Sequence, residues 1–352
     1  MALEREVNAI RSSVALSTLG HVAQVRLSGA GAFDTLDRLC SAELFLRDGQ
    51  LLHSLLLSED GRPFADIYVG RDDEELVLLS EGPSAEQLLA HLRSHAPAGA
   101  QVEFRDLSST HELLGLNGPY AWELLGELEG PETIGLPYLA FFHLEGGTCF
   151  RAGKTGEYGY TLSVPRDTAP ATRERLEELG ASYDLATAGL AALDHCALEN
   201  WFFNIRREGL ARVTPVELQL QWRVSAHKQY LGSAAVEARR AEGAKQRLTC
   251  LCAAAAFEAG DPVLCGEQRI GQVANAAFSF ARQDWVGLAF LDWAYAHSGI
   301  DRYAVVHQGR PVPVRTMSPP VLNNRSLYVD PQRHSYRTRA EVVVPPLVLR
   351  GP

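Results

Sequence analysis

Lysine is scarce in this chain: Lys154, Lys228 and Lys245 are its three examples, and arginine supplies the remainder of 33 basic residues against 43 acidic ones. We read that bias as one of composition, not of chemistry. The resulting formal charge of -10, with a pI near 5.6, argues against a phosphate backbone as the main partner, because sequence-independent nucleic-acid affinity needs clustered Lys and Arg. Long apolar runs are also missing, so no segment approaches a membrane span. Met1 to Val7 carries Glu4, Arg5 and Glu6 where a signal peptide needs an apolar core. A cytoplasmic protein without membrane or nucleic-acid partners is expected. The six cysteines are scattered, with no Cys-x-x-Cys pair and no His at zinc-finger spacing, and they read as free, mostly buried thiols. No metal site is expected.

Familiar catalytic signatures are absent as well. There is no Gly-x-Ser-x-Gly elbow and no His-Glu-x-x-His. Gly29-Ala30-Gly31 precedes a helix as a dinucleotide-binding turn does, but Asp34 stands where the third glycine must allow close packing. Gly153-Lys154-Thr155 ends like a phosphate loop, yet Thr148 holds the place of its first glycine.

What is present is ample core material, 46% apolar over 352 residues, enough for two or three domains. Val22 to Leu27 reads as a strand and Phe33 to Cys40 as a helix. Leu51 to Ser58 and Phe64 to Val69 form a hairpin across Glu59-Asp60-Gly61-Arg62-Pro63, followed by a strand at Leu76 to Ser80. Ser84 and Gln87 make a capping box ahead of a helix through Leu92, and a strand is expected at Val102 to Leu107. The alternation repeats: strands near Leu113 to Leu116, Leu139 to Leu144, Thr148 to Arg151 and Tyr160 to Val164, with helices at Ala121 to Leu128, Arg173 to Leu179 and Thr187 to Glu199. From Arg247 to Val314, turns at Gly260-Asp261-Pro262, Gly266-Glu267 and Gly309-Arg310-Pro311 give the rhythm of a small antiparallel barrel or sandwich. The Arg- and Pro-rich residues 326–352 are expected to be an arm or tail.

Asp66 stands out because aspartate is disfavoured inside strands, and alternation puts it on one side with Phe64 and Tyr68. Two readings stay open: a carboxylate on the wet side of a sheet, or the floor of a ligand cleft.

Several ordered blocks carry a family resemblance. They are Arg11-Ser12-Ser13-Val14 through His21 to Gly29, Ser58-Glu59-Asp60-Gly61 through Asp66-Ile67, and Arg151-Ala152-Gly153-Lys154-Thr155-Gly156-Glu157-Tyr158-Gly159-Tyr160. Gly189 to Asp194 with Leu198-Glu199, Thr214-Pro215-Val216-Glu217, Trp222 and Leu231-Gly232 follow in order. Across residues 4–325 the chain resembles the aminomethyltransferase family, the glycine-cleavage T-protein and its tetrahydrofolate-dependent demethylase relatives. The resemblance implies an α+β cloverleaf with antiparallel sheets: a folate-binding core of two interleaved units over 1–245, then a C-terminal β-barrel over 246–325. It implies one-carbon transfer, of methyl or methylene, between a small amine, ether or thioether and tetrahydrofolate, with Asp66 catalytic. Cofactor contacts would fall to His53, Tyr68, Ser80, Lys154, Tyr160, Thr161 and Arg325.

This chain departs from the family pattern around that pocket. Thr161 replaces a glutamate that holds the pterin ring, Lys154 a tyrosine, Ala197 an arginine, Ile205 a tyrosine, Ser80 an asparagine and His53 a tyrosine. A second expectation is therefore a repurposed enzyme without folate, using Asp66 as general acid or base. A third is a non-catalytic folate-binding protein, like the branch linked to iron–sulfur maturation. That branch has a Lys-Gly-Cys-Tyr type motif where Asn204-Ile205-Arg206-Arg207 stands here. The resemblance admits a lipoyl carrier protein as partner, which no motif of this chain supports.

Overall fold

The structure is a computed structural model that describes residues 2–347. Helix α1 (Ala2–Ser12) leads into β1 (Ala15–Thr18), β2 (Val22–Ser28) and α2 (Ala32–Leu39). Strands β3 (Leu51–Leu57), β4 (Pro63–Asp72) and β5 (Glu75–Glu81) follow, then α3 (Ala85–His95) and β6 (Glu103–Asp106). Next come β7 (His111–Asn117), α4 (Ala121–Glu129), β8 (Phe141–Leu144), β9 (Gly147–Phe150) and β10 (Gly159–Pro165). After α5 (Ala169–Gly180), β11 (Ala186–Thr187), α6 (Leu190–Glu199) and α7 (Ser233–Glu242) come six strands: β12 (Gln246–Ala253), β13 (Pro262–Cys265), β14 (Gln268–Ser279), β15 (Asp284–Asp292), β16 (Tyr303–His307) and β17 (Arg310–Met317).

Three sheets result. An antiparallel five-stranded sheet runs β3-β4-β5-β2-β6, and a six-stranded sheet runs β11-β1-β7-β10-β9-β8 with β11 parallel to β1. Strands β12 to β17 close into an antiparallel barrel, as the turn spacing predicts. Each open sheet buries one face under helices, because a half-apolar sheet must cover that face. Ile67, Val69 and Leu78 pack under α2 and α3, and Leu114, Leu116 and Leu162 under α4 and α5. The other faces meet each other through Leu51, Leu79, Leu113 and Phe150. That shared layer matters for function, since a cavity opens within it.

The expected capping box is present: Ser84 accepts from Gln87 N–H and the Gln87 side chain accepts from Ser84 N–H. Two expectations need correction. The helix expected from Thr187 starts at Leu190, because Ala186 and Thr187 are taken up by pairing with Ala15 and Leu16. Phe64 does not share a face with Asp66: a bulge pairs Leu56 with Ala65 and Leu57 with Pro63, which turns Phe64 onto the helix layer, stacked on His91. Of the arm expected over 326–352, residues 326–347 lie along the molecule with Val329, Tyr336 and Val342 buried against the α4–α5 layer, and 348–352 lie outside the described residues.

Candidate active site

Period-two alternation on β4 and β5 puts Asp66 opposite Glu81 and turns both toward the cavity, alongside Tyr68 and Leu79. The third charged residue comes from the loop between β9 and β10. Thr155 C=O accepts from Arg11 at 2.6 Å and from Asn200 at 2.8 Å, while the Glu157 carboxylate accepts from the N–H groups of Arg325 and Ser326 at 3.1 and 2.8 Å. Gly156, at φ +81°, lies against the Asn200 amide so closely that any Cβ would collide with it. This strapped loop delivers Lys154 to the cavity.

Asp66 is 4% exposed, and its oxygens are fully engaged. With the proton assigned to Nε2, His53 donates to Oδ1 at 2.9 Å; Arg223 Nη2 donates to the same oxygen, and Lys154 Nζ to Oδ2 at 3.2 Å. Burial alone would raise this carboxyl, but Arg223, Lys154 and His53 outweigh it and hold it well below the usual carboxylate range. Burial lowers the His53 imidazole against the pull of Asp66, so the ring is neutral, stacked on Tyr68 at 4.2 Å between centroids.

Lys154 bridges onward to Glu81 at 2.5 Å; Glu81 accepts from Arg206 at 2.6 Å, and Arg206 reaches Asp194. Burial would lower the Lys154 ammonium, yet Glu81 and Asp66 together raise it. Glu81 in turn would be raised by burial and is held down chiefly by Lys154. The wall is thus a chain of alternating charge from deep to shallow: Asp66, Lys154, Glu81, Arg206, Asp194. Leu19, Leu79, Leu190 and Leu193 supply apolar walls, and the cavity has about 780 Å³ of empty space, including its open mouth.

Of the residues singled out by sequence, Asp66, Tyr68, Lys154 and Thr161 line this cavity, and His53 stands directly behind Asp66. Three lie elsewhere. Ser80 pairs with Ile67 and Ala23, one residue out of phase with Glu81, so it is buried under the helices with its hydroxyl unpartnered among the described residues. Tyr160 pairs with Leu116 and faces the α4–α5 core, under the Arg151 guanidinium. Arg325 lines a separate cleft with Arg5, Asp184, Tyr336 and Arg339. Sequence reasoning missed Glu81, which the same alternation on β5 could have found. It also missed Arg223, which sits in the irregular stretch between α6 and α7 and carries no periodic signal. Among the described residues one trio, Glu258, Asp261 and His307, has the spacing for a cation. Its Asp261 carboxylate already accepts from Glu258 N–H and His307, both at 2.8 Å, as a turn in the barrel does.

This arrangement, two facing sheets around a charged cavity with a barrel behind, has known counterparts. The GCVT N-terminal domain model matches residues 1–228, and the glycine cleavage T-protein C-terminal barrel domain model matches 245–323. The chain belongs to the aminomethyltransferase family, a family of enzymes. It is 29% identical to an aminomethyltransferase of Rubrobacter xylanophilus over 90% of this chain and 86% of that one. It is 26% identical to one of Thermoanaerobacter pseudethanolicus over 87% and 86%. The fold matches the glycine cleavage system aminomethyltransferase T from Bartonella henselae with a TM-score of 0.83, at 24% identity, covering 90% and 89% of the two chains. No helix among the described residues is long and apolar enough to cross a membrane.

Proposed function

We propose that this enzyme transfers a one-carbon unit, methyl or methylene, between a small amine and tetrahydrofolate, with both reactants meeting at Asp66. The observation that carries this reading is the ionised, buried carboxylate on the cavity floor of a chain in the aminomethyltransferase family. The residues fit a flat polar ring. Tyr68 and Leu79 offer a face, and Thr161 and Asn204 offer edge hydrogen bonds. Thr161 has one hydroxyl where relatives of the pattern place a carboxylate, so a single neutral hydrogen bond replaces a charge-assisted pair. Tetrahydrofolate would supply the nitrogens that carry the one-carbon unit. Asp66 would act electrostatically: a carboxylate held this far down is a poor proton acceptor, but its charge favours positive charge developing on a donor amine.

A second reading has its own support. Lys154 and Arg223 already neutralise Asp66, and Thr161 weakens the ring anchor, which favours a repurposed enzyme that no longer uses folate. The acid-base group would then be the His53–Asp66 pair, not Asp66 alone. Turnover separates the two. Wild-type protein given tetrahydrofolate and a panel of aminomethyl and N-methyl donors should form one-carbon-loaded folate. Asp66→Asn should lower that rate about 10²–10³-fold, as loss of one electrostatic contact does. No loaded folate from any donor would move the assignment to the second reading.

A further inference from the structure

Every charged side chain facing the cavity is already spent on its neighbour. Lys154 Nζ lies 3.2 Å from Asp66 and 2.5 Å from Glu81, Glu81 lies 2.6 Å from Arg206, and Arg206 pairs with Asp194. The side chains are 2% exposed at Asp66, 14% at Lys154, 13% at Glu81, 26% at Arg206 and 20% at Asp194, so the pairs grow wetter toward the mouth. A simple cation entering here must evict Lys154 or Arg206 from a carboxylate. A simple anion must evict Glu81 or Asp194 from a base. Asp66, Glu81 and Asp194 balance Lys154, Arg206 and Arg223 in this network, so either ligand leaves one charge in excess among desolvated pairs, which is costly. A molecule with adjacent opposite charges avoids that cost: its ammonium can take Glu81 while its carboxylate takes Lys154 or Arg206, and every charge stays paired.

We propose that the donor side of this cavity selects small zwitterions of the α-amino-acid type, with Lys154 as the residue that sets that specificity. Lys154 fills the seat between two carboxylates that a bare amine would otherwise occupy, and it offers its own charge to the ligand's carboxylate. This deepens the transfer reading by naming the donor's chemical class, and it rests on the same site.

The test uses three nearly isosteric probes on the whole protein without tetrahydrofolate: alanine, isopropylammonium and isobutyrate, titrated calorimetrically. Wild type should bind alanine in the millimolar range and the two singly charged probes at least about tenfold more weakly. Lys154→Met should reverse the first preference, weakening alanine and strengthening isopropylammonium by about tenfold each, and Lys154→Arg should restore the wild-type order. Equal binding of the three probes to wild type, or no binding of alanine, overturns the proposal without needing any variant to fold. An unchanged order in Lys154→Met overturns the role of Lys154. Because no folate is present, failure here leaves the transfer reading standing, and failure of folate turnover leaves the probe order standing.

Discussion

Asp66 and Arg223 are each 2% exposed in their side chains, and they share one short contact that also ties β4 to the irregular stretch after α6. Asparagine is nearly isosteric with aspartate, which by shape alone would leave stability untouched. The ion pair says otherwise, since removing one partner of a buried pair strands the other. Asp66→Asn should therefore cost about 3 kcal/mol of stability in urea unfolding. Asp66→Asn with Arg223→Met removes both charges and should regain most of that loss while turnover stays low. If the double variant unfolds as easily as the single, the pair is not the source of the cost. If it regains turnover, the carboxylate is not catalytic.

At the scale of elements, α1, α6 and the barrel are clamped together by one buried carboxylate, and its partner Arg11 also holds the motif loop. Glu199 accepts from Arg11 at 2.6 Å, from His195 at 3.2 Å and from Ser279 of β14 at 2.6 Å. Burial would raise it, but His195 and Arg11 hold it down at about 2, against an ordinary 4.5. A depressed carboxyl contributes stability that is complete above its unfolded value and is lost as pH falls toward its folded one. The stability gap between wild type and Glu199→Gln should be about 3 kcal/mol near neutrality and shrink as pH falls from about 4.5 toward 2. A gap constant with pH would mean that Glu199 is not ionised in the fold.

That clamp also shows what the sequence could and could not disclose. Period-two and helical spacing located most strands and helices because each sheet buries one face, and the turn spacing after Gly243 located the barrel. Alternation placed Asp66 with Tyr68 but misplaced Phe64, since a bulge changes the phase without leaving a mark in the pattern. Helix α1 has few apolar residues to mark its period, yet Val7, Ala9 and Ile10 suffice to bury one side. The motif around Gly156 was legible as a family mark. Its physical task, strapping a loop through Arg11, Asn200 and Ser326, depends on partners far away in sequence that spacing cannot reveal. For the same reason spacing alone does not distinguish Lys154 as a site residue from a solvated lysine.

For the whole molecule, the two open sheets and α6 line the cavity, and the C-terminal arm covers the α4–α5 layer. Val329, Tyr336 and Val342 bury themselves on the α4–α5 layer, and Ser326 holds Glu157 behind the motif loop. Deleting residues 326–352 should lower stability by on the order of 5 kcal/mol, from three buried side chains at about 1.5–3 kcal/mol each. Thermal melts of the full and shortened chains check this, and equal melting would show that the arm is dispensable.

The account depends most on tetrahydrofolate entering the cavity beside Asp66. Ala197, on α6, is 4% exposed and lines that cavity, so Ala197→Phe fills part of it while removing none of the charged side chains named above. Calorimetric titration of tetrahydrofolate into wild type should give one-site binding, and Ala197→Phe should weaken it at least about tenfold, or about 1.4 kcal/mol. No heat with wild type, or the same affinity in both proteins, would contradict the assignment of this cavity to the cofactor.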